Sequence, residues 1–126
     1  MKIADTNVVL RYILKDHPEF SPRAAELIEQ QDIFLPTEII CELSYVLQKV
    51  YRMSKPEIRN VLQGLSDNGL IVVEKPIVLR HALEMYASRN LDIVDAYLCA
   101  YCALEKVDVL TFDEKLQKCL NAKASI

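Results

Sequence analysis

Apolar residues along this chain recur in two rhythms. Short runs end abruptly at polar residues or proline, and longer stretches repeat at three- and four-residue spacing. Met1-Lys2-Ile3-Ala4 stops at Asp5, Ile33-Phe34-Leu35 is closed by Pro36, and Leu70-Ile71-Val72-Val73 follows an Asn68-Gly69 turn. These runs are too short for helices and read as buried strands. Val107-Asp108-Val109-Leu110-Thr111 alternates in the manner of a further strand. Between them, helical spacing places Val9, Leu10, Ile13 and Leu14 on one face of a helix over residues 7–15, broken by Asp16-His17-Pro18. Phe20-Ser21-Pro22 opens a second helix with Ser21 as its predicted N-cap. A third, from Thr37, carries Ile39, Ile40, Leu43, Val46, Leu47 and Val50 as one stripe. The capping box Ser54-Lys55-Pro56-Glu57 starts a fourth, and residues 77–87 form a fifth. Another runs from Asp92 to Leu104, and a short last one passes through Leu116 and Leu120. Strands alternating with helices in this order imply an α/β fold with a parallel sheet covered on both faces.

Composition narrows the class. At 126 residues the chain is expected to form a single domain over 1–126. With 52% hydrophobic residues, 2 Gly and no Trp it should be a helix-rich globule rather than a disordered chain. No charged-then-apolar leader and no apolar run of roughly 18 residues is present, so a soluble, cytoplasmic protein without a membrane segment is expected. The four cysteines, Cys41, Cys99, Cys102 and Cys119, show no disulfide framework and read as reduced thiols. Cys99-x-x-Cys102 lacks a second pair or a nearby His, so it is read as buried small hydrophobes.

Charge and candidate chemistry then converge. A formal charge of -3, from 15 bases against 18 acids, excludes bulk electrostatic grip on nucleic acid. With four acids committed to a metal, 14 would face 15 bases and leave a surface near neutrality. Asp5 sits at the end of the first strand and Asp113 just past the end of the last, where open parallel sheets form their ligand crevice. Glu42 lies roughly 60° from Ile39 on the wheel of the third helix, at the margin of its apolar stripe. From Ile93 to Leu104 only Asp95 is charged, so its carboxylate needs compensation within an apolar helix. Helix capping by Asp5, Asn7 or Asp92 is the competing explanation for several of these residues. Four carboxylates without His or Cys select hard cations, Mg²⁺ or Mn²⁺, and such ions in contact with phosphate suit phosphodiester hydrolysis. No Ser or Cys partners His17 or His81 in a recognisable motif, and Gly64 and Gly69 form no nucleotide loop. Tyr97 and Tyr101 read as core or interface residues.

Asp5-Thr6-Asn7 after a strand, Glu42 in the third helix, Asp95-Ala96 opening an apolar helix and Thr111-Phe112-Asp113 near the end together resemble a PIN domain. The opening Asp-Thr-Asn-Val-Val-Leu-Arg-Tyr is similar to VapC-like toxins of type II toxin–antitoxin pairs. The resemblance implies a three-layer α/β/α fold with four to five short parallel strands, and a Mg²⁺- or Mn²⁺-dependent endoribonuclease with one or two ions. It makes Asp5, Glu42, Asp95 and Asp113 the metal ligands and catalytic acids, with Thr6, Asn7 and Thr111 supporting and Asp92 an extra acid. It further implies a homodimer inhibited by a cognate antitoxin. Arg11 and Lys15, on one helix ridge with Asn7, and Tyr45 and Lys49, outside Glu42, are candidate RNA contacts. A catalytically idle PIN-like module binding protein or RNA, or a housekeeping RNA-processing nuclease, is the alternative.

Overall fold

In a computed structural model that describes residues 1–124, three parallel strands carry the order β1 (Lys2–Ile3), β2 (Ile33–Leu35), β3 (Val72–Val73). Lys2 lies opposite Ile33, and Phe34 lies opposite Val72. Seven helices accompany them among the described residues: α1 (Thr6–Leu14), α2 (Phe20–Glu29), α3 (Thr37–Lys49), α4 (Lys55–Asp67), α5 (Pro76–Arg89), α6 (Ile93–Glu105) and α7 (Glu114–Ala124). Parallel neighbours require crossovers, and helical segments fill both of them. The α/β architecture and the parallel sheet are as expected, but among the described residues the sheet has three strands instead of four to five.

Residues 107–111 account for the difference. They run without ladder bonds, and of the alternating Val107-Asp108-Val109-Leu110 only Val109 packs against the core. Leu110 is 96% exposed. Alternation reports which side chains want burial, whereas a strand also needs a neighbouring backbone; β1 is only two residues long.

Core formation follows the apolar stripes. Ile40, Leu43 and Leu47 of α3, Ile58 and Leu62 of α4, and Leu79 and Leu83 of α5 are fully buried in one cluster with Leu35 of β2. The capping box of α4 forms as expected, with Ser54 Oγ accepting from Glu57 N and the Glu57 carboxylate accepting from Ser54 N. Gly69 takes a φ of +73°, which the Asn68-Gly69 turn requires.

Three local expectations are corrected. Helix α2 starts at Phe20 with Glu19 as its N-cap residue, so Ser21 is not its N-cap; His17 Nδ1 accepts from Glu19 N at 3.2 Å and from Phe20 N at 2.9 Å. Ser21 Oγ instead accepts from His17 N. The apolar composition of α6 predicts a largely buried helix, yet Val94 is 54% exposed and Asp95 half-buried. Finally, Cys99 and Cys119 form a disulfide between α6 and α7, their Cα atoms 6.3 Å apart, while Cys41 and Cys102 remain free thiols. A sequence separation of 20 hid this pair from a search for short spacings; the packing of α7 on α6 brings it together.

Candidate functional site

Helix starts place the acids. Asp5 is the N-cap of α1 in extended conformation, and its Oδ1 accepts from Val8 N at 3.1 Å. One oxygen is thus spent on an orphan amide, which fixes the direction of the other. Asp113 behaves alike: its Oδ1 accepts from Leu116 N at 2.8 Å in the first turn of α7. Thr111 orients it by accepting from Asp113 N through Oγ1 at 3.0 Å, and Gln117 Nε2 donates to the Thr111 carbonyl at 2.9 Å.

Asp92 differs from both. It occupies the N-cap position of α6, where its carbonyl accepts from Ala96 N at 2.8 Å, yet its carboxylate makes no capping bond. Capping therefore does not explain this carboxylate. Asp95 follows in the first turn, and both acids face the positive end of the helix dipole. Asp92, Asp95 and Asp113 line one crevice of about 300 Å³ with Asn90, Leu91, Glu114 and Lys115. Burial first, then the charges of Asp113 and Asp92, push the Asp95 carboxyl above the usual carboxylate range.

The crevice is held from below by a residue that sequence reasoning treated as part of a helix cap only. Lys55 Nζ, at the start of α4, donates to the Leu91 carbonyl at 2.7 Å and to Asn90 Oδ1 at 3.3 Å, and lies 4.9 Å from the Tyr86 ring centroid. It ties down the loop in which Asn90 turns through a left-handed conformation, φ 53°, before Asp92. A lysine inside a capping box carries no sequence signal of a tertiary role.

Other expected site residues are not among those that line this crevice. Glu42 is exposed on α3, and Thr6 is buried with its Oγ1 unpartnered. Asn7 is exposed in the first turn of α1. Arg11 is clamped by Asp16 at 2.8 Å and the Tyr51 hydroxyl at 2.8 Å. Lys15 ends α1 in a left-handed conformation. Tyr45 is 57% exposed, with Lys49 Nζ 5.8 Å from its ring centroid.

Among the described residues, no three His, Cys, Asp or Glu side chains form a ready metal cluster. The donor chemistry nevertheless fits a hard cation: oxygen donors from carboxylates lining one crevice, and an orphan buried hydroxyl next to Asp5.

Comparison with known families decides the larger question. A model of the PIN domain matches residues 2–119. The chain belongs to the PIN domain family. A VapC ribonuclease from Aquifex aeolicus (strain VF5) is 28% identical over 104 residues, covering 75% of this chain and 73% of that protein. No solved structure matches. The matched span of this PIN domain takes in Asp5, Glu42, Asp92, Asp95 and Asp113. Among its described residues no helix is long and apolar enough to cross a membrane.

Proposed function

We propose that this PIN domain is a Mg²⁺- or Mn²⁺-dependent endoribonuclease, the toxin of a toxin–antitoxin pair, acting as a homodimer and restrained by a cognate antitoxin. The observation that carries the reading is the crevice at the start of α6. Asp92, Asp95 and Asp113 line it together, and the carboxylate of Asp92 is not spent on the helix cap. Similarity to a VapC ribonuclease supports RNA as the substrate and an antitoxin as the partner.

Asp5, Glu42, Asp95 and Asp113 would hold one or two ions, with Asp92 beside them and Thr6, Asn7 and Thr111 in support. A divalent cation, when bound there, supplies Lewis acidity toward water and the scissile phosphate. The chain's own contribution is orientation. Capping bonds from Val8 N and Leu116 N hold one oxygen of Asp5 and of Asp113, so that their free oxygens have fixed directions. The N-terminal ends of α1, α6 and α7 add positive dipole ends where a phosphate's charge must be tolerated. Asp95 accepts a proton more readily than an ordinary carboxylate while no cation is present, which suits it to exchange a proton for a cation.

The test is cleavage of structured and unstructured RNAs by purified protein in Mn²⁺, Mg²⁺ or EDTA, beside a folded Asp95→Asn variant. Since even residues that only orient ligands cost 10- to 100-fold, loss of this carboxylate should cost at least about 100-fold. Equal cutting by both proteins, or cutting that persists in EDTA, would remove the mechanism. Metal-independent RNA binding without cutting would favour the idle-module reading.

A further inference from the structure

A second cleft opens between α1 and α2, beginning at Asn7, two residues past Asp5. Its volume is about 190 Å³, and Asn7, Val8, Arg11, Phe20, Arg23 and Leu27 form its main walls. Three properties set it apart from an ordinary surface groove. Phe20 is a large aromatic left 43% exposed at the first position of a helix. The His17 ring stacks on it, with centroids 4.4 Å apart and planes 19° from parallel, so the platform is braced rather than loose. Arg23 lies over the ring with its guanidinium carbon 5.6 Å from the centroid, and it makes no ion pair among the described residues.

Arg11, on the facing helix, is held rigid by Asp16 and Tyr51 and brings a second guanidinium to the same cleft. In a chain of net charge -3, two arginines and an aromatic ring in one small cleft are a local concentration of groups that recognise a nucleotide. The volume lies below the roughly 300–1,000 Å³ of drug-sized pockets, which suits one planar ring and not a folded ligand.

We propose that this cleft is a nucleotide subsite for the RNA strand flanking the scissile phosphate. The base stacks against Phe20 and the Arg23 guanidinium, and Arg23 neutralises an adjoining phosphate. Arg23 is free to slide because no carboxylate among the described residues holds it, so a base can enter the stack while the cation stays beside the strand. The proposal rests on the ribonuclease reading and adds to it the position and the mode of strand recognition. Stacking is tolerant of base identity, so the subsite selects unpaired strands ahead of a particular sequence.

The test measures two things on the full chain. Affinity for a fluorescent single-stranded RNA is read in Mg²⁺ in an Asp95→Asn background, so that the probe survives; kcat and KM are read with Asp95 intact. Phe20→Leu keeps the apolar bulk without a π face, Phe20→Tyr restores the face, and Arg23→Ala removes the free cation. Circular dichroism melting confirms that each variant folds.

Expected are affinity losses of about 5- to 100-fold for Phe20→Leu and Arg23→Ala, expressed in KM more than in kcat, with recovery in Phe20→Tyr. An abasic nucleotide walked along the probe should mimic the Phe20→Leu loss at one position only, and the variant should ignore that lesion. Variants that bind and cut as the wild type does overturn the subsite while leaving the nuclease intact. Equal sensitivity of wild type and Phe20→Leu to every abasic position overturns the stacking role. Unchanged RNA affinity with loss of a bound antitoxin would assign the cleft to a protein partner instead. A wild type that binds RNA without cutting it removes the nuclease reading alone, and one that neither binds nor cuts removes both.

Discussion

A carboxylate has two oxygens, and how many of them the fold consumes separates the acids of this site. At Asp5 and Asp113 one oxygen accepts a helix amide, so removing the side chain has a structural cost as well as a chemical one. Asn caps a helix about as well as Asp does. Asp5→Asn should therefore melt within about 0.5 kcal/mol of wild type while losing RNA cleavage; Asp5→Ala should lose about 1 kcal/mol in addition. Asp92 caps nothing with its carboxylate. Asp92→Ala should leave stability almost unchanged and still lower cleavage about 10-fold, the range of groups that orient metal ligands. Parallel thermal melts and rate measurements on these three variants check the assignment; full activity in Asp92→Ala would remove it from the site. Sequence reasoning reached these acids because a charge at the end of an apolar run is visible without coordinates. It could not say which oxygen was committed, since that depends on backbone amides positioned only by the fold. Nor could it separate Arg23, one basic residue among many on helix surfaces, from its neighbours: its relation to Phe20 is a matter of distance.

At the scale of elements, the helices were legible and the strands were not equally so. Helical stripes such as Ile40, Leu43 and Leu47 repeat over several turns and record burial directly. The strands are two or three residues long, so their patterns hold little information, and residues 107–111 alternate without acquiring a ladder. Contacts between elements distant in sequence were invisible, and two of them support the crevice. Lys55 joins the start of α4 to the loop that delivers Asp92. Lys55→Met keeps an apolar stem of similar length but cannot donate to the Leu91 carbonyl, so that loop should exchange its amide hydrogens faster. Cleavage should fall although no acid has changed; unaltered exchange at residues 90–92 would sink the clamp. The disulfide joins α6, which carries Asp95, to α7, whose first turn Asp113 caps. A loop closed across a sequence separation of 20 is worth about 3 kcal/mol through the entropy of the unfolded chain. Reductant, or Cys119→Ser, should lower the melting transition accordingly, and mass spectrometry of the unreduced protein should find the Cys99–Cys119 linkage.

For the molecule as a whole, a cluster of like charges that awaits a cation is a cost carried by the folded state. Burial, and then the charges of Asp113 and Asp92, raise the Asp95 carboxyl in the fold, and unfolding relieves both. A cation that binds the folded crevice and not the unfolded chain must therefore raise global stability, by RT ln(1 + [M]/Kd). At a concentration ten times Kd this is about 1.4 kcal/mol, or about 5 °C for a chain of this size. Mn²⁺ and Mg²⁺ should produce that shift and EDTA should reverse it. NaCl at matched ionic strength should not reproduce it, because screening acts on exposed charges generally and does not coordinate. The same titration on Asp95→Asn separates the two contributions: with one charge gone the cation-free protein should be more stable than wild type, yet gain less from metal. A melting temperature that ignores divalent ions in both proteins would mean that the carboxylates do not act together as a cation site. Stabilisation of equal size in both would place the ion away from Asp95. Thermal shift thus examines the metal centre without reference to any RNA, so a chain whose natural target is rare can still reveal whether its acids form one site.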